Sequence, residues 1–220
     1  MSSKKNVVLS TLCGLLSLTA CEIDSYDKGE GDYSLMTADF VEAHVGSDKN
    51  VGSVETDQGE LIQLAEPFTT SWIQKADTTY RAILYYNKVG NAEAKAVSIS
   101  RVGVVNIGDS VKGGMKTDPL HAESIWLSKN RKYLNLRLRL LTGHTDEAEA
   151  IHTIGLVRDT LATTPSHLHL TLYHNQGGRP EYYSTTAYAS MPLTAITADT
   201  VTLTINTYNG IIVRSFNLKP

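Results

Sequence analysis

The tightest constraint on this chain lies between Tyr133 and Leu140, where every second residue is leucine. Leu134, Leu136, Leu138 and Leu140 fall on one side, and Tyr133, Asn135, Arg137 and Arg139 on the other. Successive side chains of an extended strand point to opposite faces, so period two with one apolar face reads as a half-buried strand. The pattern returns twice. Leu168, Leu170 and Leu172 alternate with His167, His169, Thr171 and Tyr173, and Val201, Leu203 and Ile205 alternate with Thr202, Thr204 and Asn206. Asn175-Gln176-Gly177-Gly178 and Asn209-Gly210 supply turns, and Ile211 to Leu218 closes the chain as a last strand. Half-buried strands separated by turns predict an antiparallel β-sandwich over residues 113–220.

The first half is also strand-like. Ser34 to Val45, Val51 to Thr56, Glu60 to Leu64, Tyr80 to Tyr86 and Ala96 to Val105 make five candidate strands, with Asp57-Gln58-Gly59 as a hairpin signal. In the fourth, Ala82, Leu84 and Tyr86 share one face, while Arg81, Ile83 and Tyr85 share the other. The link from Ala65 to Thr79 holds Pro67 and Trp72 and has room for a helical turn. Five strands in this order outline an OB-fold-like barrel over residues 33–112. Gly113-Gly114 and Asp118-Pro119 mark the expected boundary. A fragment from about His121 to Pro220 is then expected to fold alone. Asp146 to Ala150 is long enough for one helical turn, and no long amphipathic helix or fixed-period repeat is visible. The fold class is all-β.

The N-terminus determines where this material resides. Lys4 and Lys5 precede an apolar run from Val7 to Leu18, broken only by Ser10, Thr11, Gly14 and Ser17. The run is shorter than the ~20 apolar residues of a transmembrane span, so it reads as an export signal over residues 1–20. Its ending, Leu18-Thr19-Ala20-Cys21, resembles a bacterial lipobox. That resemblance implies cleavage before Cys21 and acylation of its thiol, palmitate included. Each buried methylene contributes about 0.8 kcal/mol, and more than one chain anchors stably. Residues 21–32 continue with Glu22, Asp24, Asp27, Glu30 and Asp32 against Lys28, an acidic tether. Such a stretch after the lipidated Cys also looks like surface-export signals of Bacteroidetes lipoproteins. The expected location is the cell envelope, on the outer membrane, with a surface-facing position left open.

Composition narrows the chemistry. The only cysteines are Cys13 and Cys21, one lost with the signal and one acylated. The mature chain would carry no disulfide, no thiolate nucleophile and no zinc–thiolate site. The net charge is −3. Between Tyr33 and Lys112 seven Lys or Arg stand against ten Asp or Glu, which argues against nucleic acid as the barrel's ligand.

Tyr133-Leu134-Asn135-Leu136, Leu172-Tyr173-His174-Asn175 and Ile205-Asn206-Thr207-Tyr208, taken in this order behind the lipobox, resemble the NigD-like lipoproteins of Bacteroides and its relatives. The resemblance spans essentially the whole chain. It implies an N-terminal OB-like domain and a C-terminal β-sandwich, and it brings no activity and no functional residue.

Candidate contacts come from the polar strand faces. His167 and His169 project from one face with His174 just beyond, but no carboxylate or thiolate stands nearby in sequence to complete a metal site, and none is expected. Arg137 and Arg139 read either as an anion patch, with Lys129, Arg131 and Lys132 upstream, or as a solvated face that keeps a strand soluble. Tyr182 and Tyr183 are further contact candidates. No Gly-x-Ser-x-Gly elbow, His-Glu-x-x-His pair or phosphate loop occurs, and no cofactor is implied.

The sequence thus points to an envelope-anchored, non-catalytic binding or assembly module for a glycan or an envelope protein, of unknown oligomeric state. The alternative is a glycan hydrolase whose carboxylates meet only in the fold. Cys21→Ser is expected to release the protein from membranes. Fractionation and intact mass check this, and a mature wild type without added lipid mass would contradict it.

Overall fold

The computed structural model describes residues 36–147 and 150–219. The signal, Cys21 and the acidic tether lie outside the described residues. Every regular element among those described is a strand.

Five strands close a barrel: β1 (Thr37–Val45), β2 (Val51–Thr56), β3 (Leu61–Phe68), β4 (Thr78–Lys88) and β5 (Glu93–Arg101), in the order β1-β2-β3-β5-β4 with β4 paired back to β1. Closure rests on a short parallel contact, Gln63 opposite Glu93 and Leu64 opposite Ala94. Val41 and Ala43 of β1, Val54 of β2, Ile62 and Leu64 of β3, and Ala82, Leu84 and Tyr86 of β4 fill the interior. The Asp57-Gln58-Gly59 turn forms as expected, with Gly59 at φ 86°. The helical turn expected between the third and fourth strands does not form. β3 instead runs on through Pro67, and Trp72 packs edge-on against Tyr80 while its indole N–H donates to the Ile99 carbonyl at 3.3 Å.

The remaining strands are β6 (Gly103–Val104), β7 (Ile107–Gly108), β8 (His121–Leu127), β9 (Tyr133–Thr142), β10 (Thr153–Arg158), β11 (His167–Asn175), β12 (Tyr183–Pro192), β13 (Thr200–Thr207) and β14 (Gly210–Asn217). They form a sandwich of a five-stranded sheet, β14-β13-β11-β10-β7, over a four-stranded sheet, β6-β12-β9-β8. The alternating leucines of β9 and β11, with Val201, Leu203 and Ile205 of β13 and Met191 of β12, make one core. The main hairpins are antiparallel, but β11 and β13 run parallel. β12 crosses to the other sheet between them, so the returning strand takes the same direction.

Two expectations change. Strands β6 and β7, which the sequence placed in the barrel block, pair with β12 and β10 of the sandwich. The sandwich therefore begins at Gly103, and Gly113-Gly114 lies inside it. Two-residue strands carry no alternation to read, so only pairing reveals their sheet. A fragment starting at His121 would lack both strands and the fully buried Leu120.

The fragment would also lose a polar junction between the domains. Arg81, on the outer face of β4, is 4% exposed. Its Nη2 donates to Asp57 Oδ2 at 2.7 Å and Asn135 Oδ1 at 3.0 Å, and its Nε donates to Ser190 Oγ at 3.1 Å. Asn135 Nδ2 donates to the same Asp57 oxygen at 2.8 Å. The guanidinium lies 4.1 Å from the centroid of the Tyr133 ring, and Phe40 packs edge-on to Trp126 and Tyr188. Around this centre, Lys132 bridges Glu42 at 2.8 Å and Glu55 at 2.7 Å, and the Tyr133 hydroxyl donates to Glu42 at 2.7 Å. Burial raises the Glu42 pKa, but the hydrogen bonds from Lys132 and Tyr133 outweigh it and hold the carboxyl below its ordinary value. Burial and Glu42 push the Tyr133 phenol up to about 12.

Removing one member of a buried ion pair leaves the other charge uncompensated, at a cost of about 3–5 kcal/mol. Arg81→Met is expected to destabilise the whole chain on that scale, read by urea unfolding, whereas Arg137→Ala, on the solvent-exposed part of β9, is expected to cost under about 1 kcal/mol.

Candidate functional site

The expected contact residues occupy three separate surfaces. Arg137 and Arg139 stand on the open half of the β9 outer face, where Glu123 of β8 engages both, at 2.9 Å and 3.3 Å. The shared carboxylate offsets part of their charge, so this is a mixed-charge face and not a bare anion patch. His167 and His169 stack with centroids 4.2 Å apart on the outer face of β11. His167 Nε2 lies 2.7 Å from Thr202 Oγ1, which continues to Ser215 at 2.7 Å, so the ring is held by a polar ladder. Tyr182 and Tyr183 sit at a third place, the loop end of the sandwich. Only these two share a surface with further unusual side chains.

That end is shaped by a fork. The parallel pairing of β11 and β13 stops at Thr171 and Thr204, and the strands then part. Residues 116–120 enter the gap. The His174 amide donates to the Lys116 carbonyl at 3.1 Å, the Asp118 amide to the His174 carbonyl at 3.0 Å, and Asn206 Nδ2 to the Thr117 carbonyl at 2.7 Å. The buried His174 side chain is thereby placed with Nδ1 2.8 Å from the Asp118 carbonyl and Nε2 3.0 Å from His152 Nδ1. The two imidazole planes differ by 7° with centroids 5.3 Å apart. That separation equals the N···N distance plus the two ring radii, so the rings meet edge to edge in one plane. A carbonyl only accepts, which assigns a proton to His174 Nδ1. Its Nε2 lone pair then receives the His152 Nδ1 proton. His152 Nε2 is buried with no well-formed hydrogen bond among the described residues, and the Leu141 backbone near the ring opposes part of its downward pKa shift.

Burial drives the His152 pKa down, and the neighbouring His174 and Arg179 add to the shift. Burial thereby favours the neutral form of the His152 ring. The facing nitrogens of the two rings point at each other and do not converge on a shared ion, and no cluster of three metal-binding side chains occurs among the described residues.

Arg179 ties the surrounding loops together, donating from Nε to the Ala150 carbonyl and from Nη1 to the Gly143 carbonyl at 3.1 Å. Gln176 donates its amide to Asp118 Oδ2 at 2.8 Å. Glycine is required twice. A Cβ on Gly177 would stand 2.4 Å from the Ile151 carbonyl oxygen, and one on Gly143 would meet the Tyr182 ring at 2.8 Å. Tyr182 thus rests on bare backbone while 80% exposed, with Tyr183 and Ile151 also exposed at this end. Beside them the Tyr208 hydroxyl donates to Glu181 at 2.9 Å and its ring leans on His121. Burial and Glu181 push the Tyr208 phenol up to about 12. Sequence reasoning noted His174 only as a neighbour and missed His152, Arg179 and Tyr208. A lone histidine 22 residues upstream carries no local signal of its partner.

A family model, the NigD-like C-terminal beta sandwich domain, matches residues 103–217, more than half of the chain. The chain belongs to the NigD-like family. The match begins at β6, where the structure starts the sandwich. A solved NigD-like immunity protein from Bacteroides caccae is 26% identical, covering 81% of this chain and 91% of that one, with a TM-score of 0.67. A protein of unknown function from Bacteroides vulgatus shares 16% identity at a TM-score of 0.60, covering 84% of this chain and 92% of its own. A candidate lipoprotein from Bacteroides fragilis shares 12% identity at 0.59, covering 84% and 98%. At those identities the last two speak for the fold alone. Comparison with curated proteins returns no match.

Because the His152 pKa is lower folded than unfolded, the unfolded chain binds more protons as pH falls. The stability tied to this group is present above its ordinary value near 6.5 and is lost as pH drops through the folded value. Unfolding free energy is expected to fall on acidification below about pH 6.5, and His152→Gln is expected to flatten that part of the profile.

Proposed function

We propose that this chain is an outer-membrane lipoprotein, held by acyl chains on Cys21, that recognises a macromolecular partner through the loop end of its sandwich and performs no chemistry on it. The observation that carries this reading is the Tyr182 ring, kept open to solvent on the Gly143 backbone beside exposed Tyr183 and Ile151. Ordered, exposed aromatic and aliphatic side chains above a rigid scaffold fit recognition, because little conformational entropy is lost when they are covered. Tyr183 lies on β12 and Tyr182 directly precedes it, and their loops are tied by Arg179, so the surface is set before any partner arrives.

The B. caccae relative carries the name of an immunity protein. Extended to this chain, that name favours stoichiometric binding of another protein at the cell envelope over glycan binding.

Crosslinking on intact cells followed by purification of the chain is expected to capture an envelope protein. Tyr182→Ala is expected to weaken that complex about tenfold or more without changing the thermal midpoint. The same preparation, offered a panel of envelope and dietary glycans, is expected to release no product. Cleavage that disappears when one Asp or Glu is replaced would overturn the proposal, and so would a complex indifferent to Tyr182→Ala.

A further inference from the structure

The two sandwich sheets have four edges, and three of them are protected. Strands β6 and β7 are two residues long. Strand β8 is interrupted by a bulge between Ala122 and Ser124, with the charged Glu123 at that point. The fourth edge, β14, has none of these features. Its register with β13 runs without a break from Thr200 opposite Asn217 to Thr207 opposite Gly210. It contains no proline and a single charge, Arg214. Ile212 and Phe216 turn towards the core. On the other face Ile211 is 71% exposed and Val213 53% exposed, in line with Ser215. A long, regular, apolar edge is a template for another strand, and folded proteins usually blunt it with charge, proline or a bulge.

We propose that β14 pairs antiparallel with β14 of a second copy of this chain, about a two-fold axis at Val213. The sequence Gly210-Ile211-Ile212-Val213-Arg214-Ser215-Phe216 is self-complementary in that register. Val213 meets the partner's Val213, and Ile211 meets the partner's Ser215. The Arg214 guanidinium, which in the single chain donates from Nη1 to the Val213 carbonyl at 3.1 Å, gives that bond up to the partner's Val213 amide and moves to the rim, with its stem along the partner's Ile212. Gly210 stands opposite the partner's Phe216, and an aromatic across from an edge glycine covers the exposed backbone. No like charges lie directly opposite, which a register centred on Arg214 would impose. Arg131, donating from Nη1 to the Asn217 carbonyl at 3.1 Å, ends the free edge one residue beyond the paired stretch. Pairing joins the two five-stranded sheets into one continuous sheet that ends at both sides in the two-residue β7, an isologous contact that closes on itself.

The test is sedimentation equilibrium across the micromolar range on the form beginning at Glu22, which retains every described strand. The wild type is expected to be a dimer. Val213→Lys, which sets two ammonium groups face to face on an exposed position, is expected to weaken the dimer about tenfold or more with an unchanged thermal midpoint. Under mild oxidation, Val213→Cys is expected to give a disulfide-linked dimer, whereas Leu161→Cys on an exposed turn outside the strand is not. A monomer at all concentrations, or a dimer that Val213→Lys leaves intact and Val213→Cys does not link, would overturn the proposal.

Discussion

A charge taken out of water must find its partners in fixed places, and Arg81 does so across a domain boundary. Asp57 comes from the β2–β3 turn of the barrel, Asn135 and Ser190 from two strands of the sandwich. Asp57 Oδ1 and Arg81 Nη1 remain buried without hydrogen-bond partners among the described residues, so the junction is not optimised for strength. Its energetic effect is directional. Any slide of one domain over the other strands a guanidinium, a carboxylate and an amide in an apolar setting, which costs far more than the pair contributes when made. The aromatic contacts of Phe40 with Trp126 and Tyr188 supply the apolar area around that centre.

This junction divides the outer face of β9 in two. Near the barrel the face carries half-buried Tyr133 and fully buried Asn135, both against Arg81. Farther along the same strand it carries Arg137 and Arg139, solvated and shared by Glu123. Identical alternation thus yields an interdomain lock at one end and a mixed-charge surface at the other. The loop end lies at the opposite extremity of β9 from the barrel-contacting 130–133 segment. There the fork between β11 and β13 admits residues 116–120 and sets the buried His174 against the half-buried His152, next to exposed Ile151 in the chain. Arg179, which ties the Gly143 and Ala150 backbones together, stiffens this end, and burial disfavours charging His152 within it.

Burial on β4 shows where local pattern stops being informative. Ala82, Leu84 and Tyr86 alternate and fill the barrel, as their spacing implies. Arg81 and Ile83 occupy the opposite, nominally outer face and are buried too. Nothing within β4 distinguishes an outer face met by solvent from one met by a second domain. The same blindness explains β6 and β7. Their sheet membership comes from Ala189, Ser190, Leu156 and Val157, roughly 50 to 90 residues farther along the chain, not from anything within two residues of length.

Period-two hydrophobicity was enough to determine the all-β class, the barrel-then-sandwich order and most of the core, because side-chain alternation is a local property of extended backbone and burial of one face is its direct consequence. The family resemblance followed from the order of such segments. The contacts that bring distant residues together belonged to the tertiary structure alone: Arg81 with Asn135, His152 with His174, and the Tyr182 ring on Gly143. Each depends on a side chain or a bare backbone placed by strands far apart in sequence, and the energy that selects it is the cost of leaving a buried group without its partner, which no single segment can register.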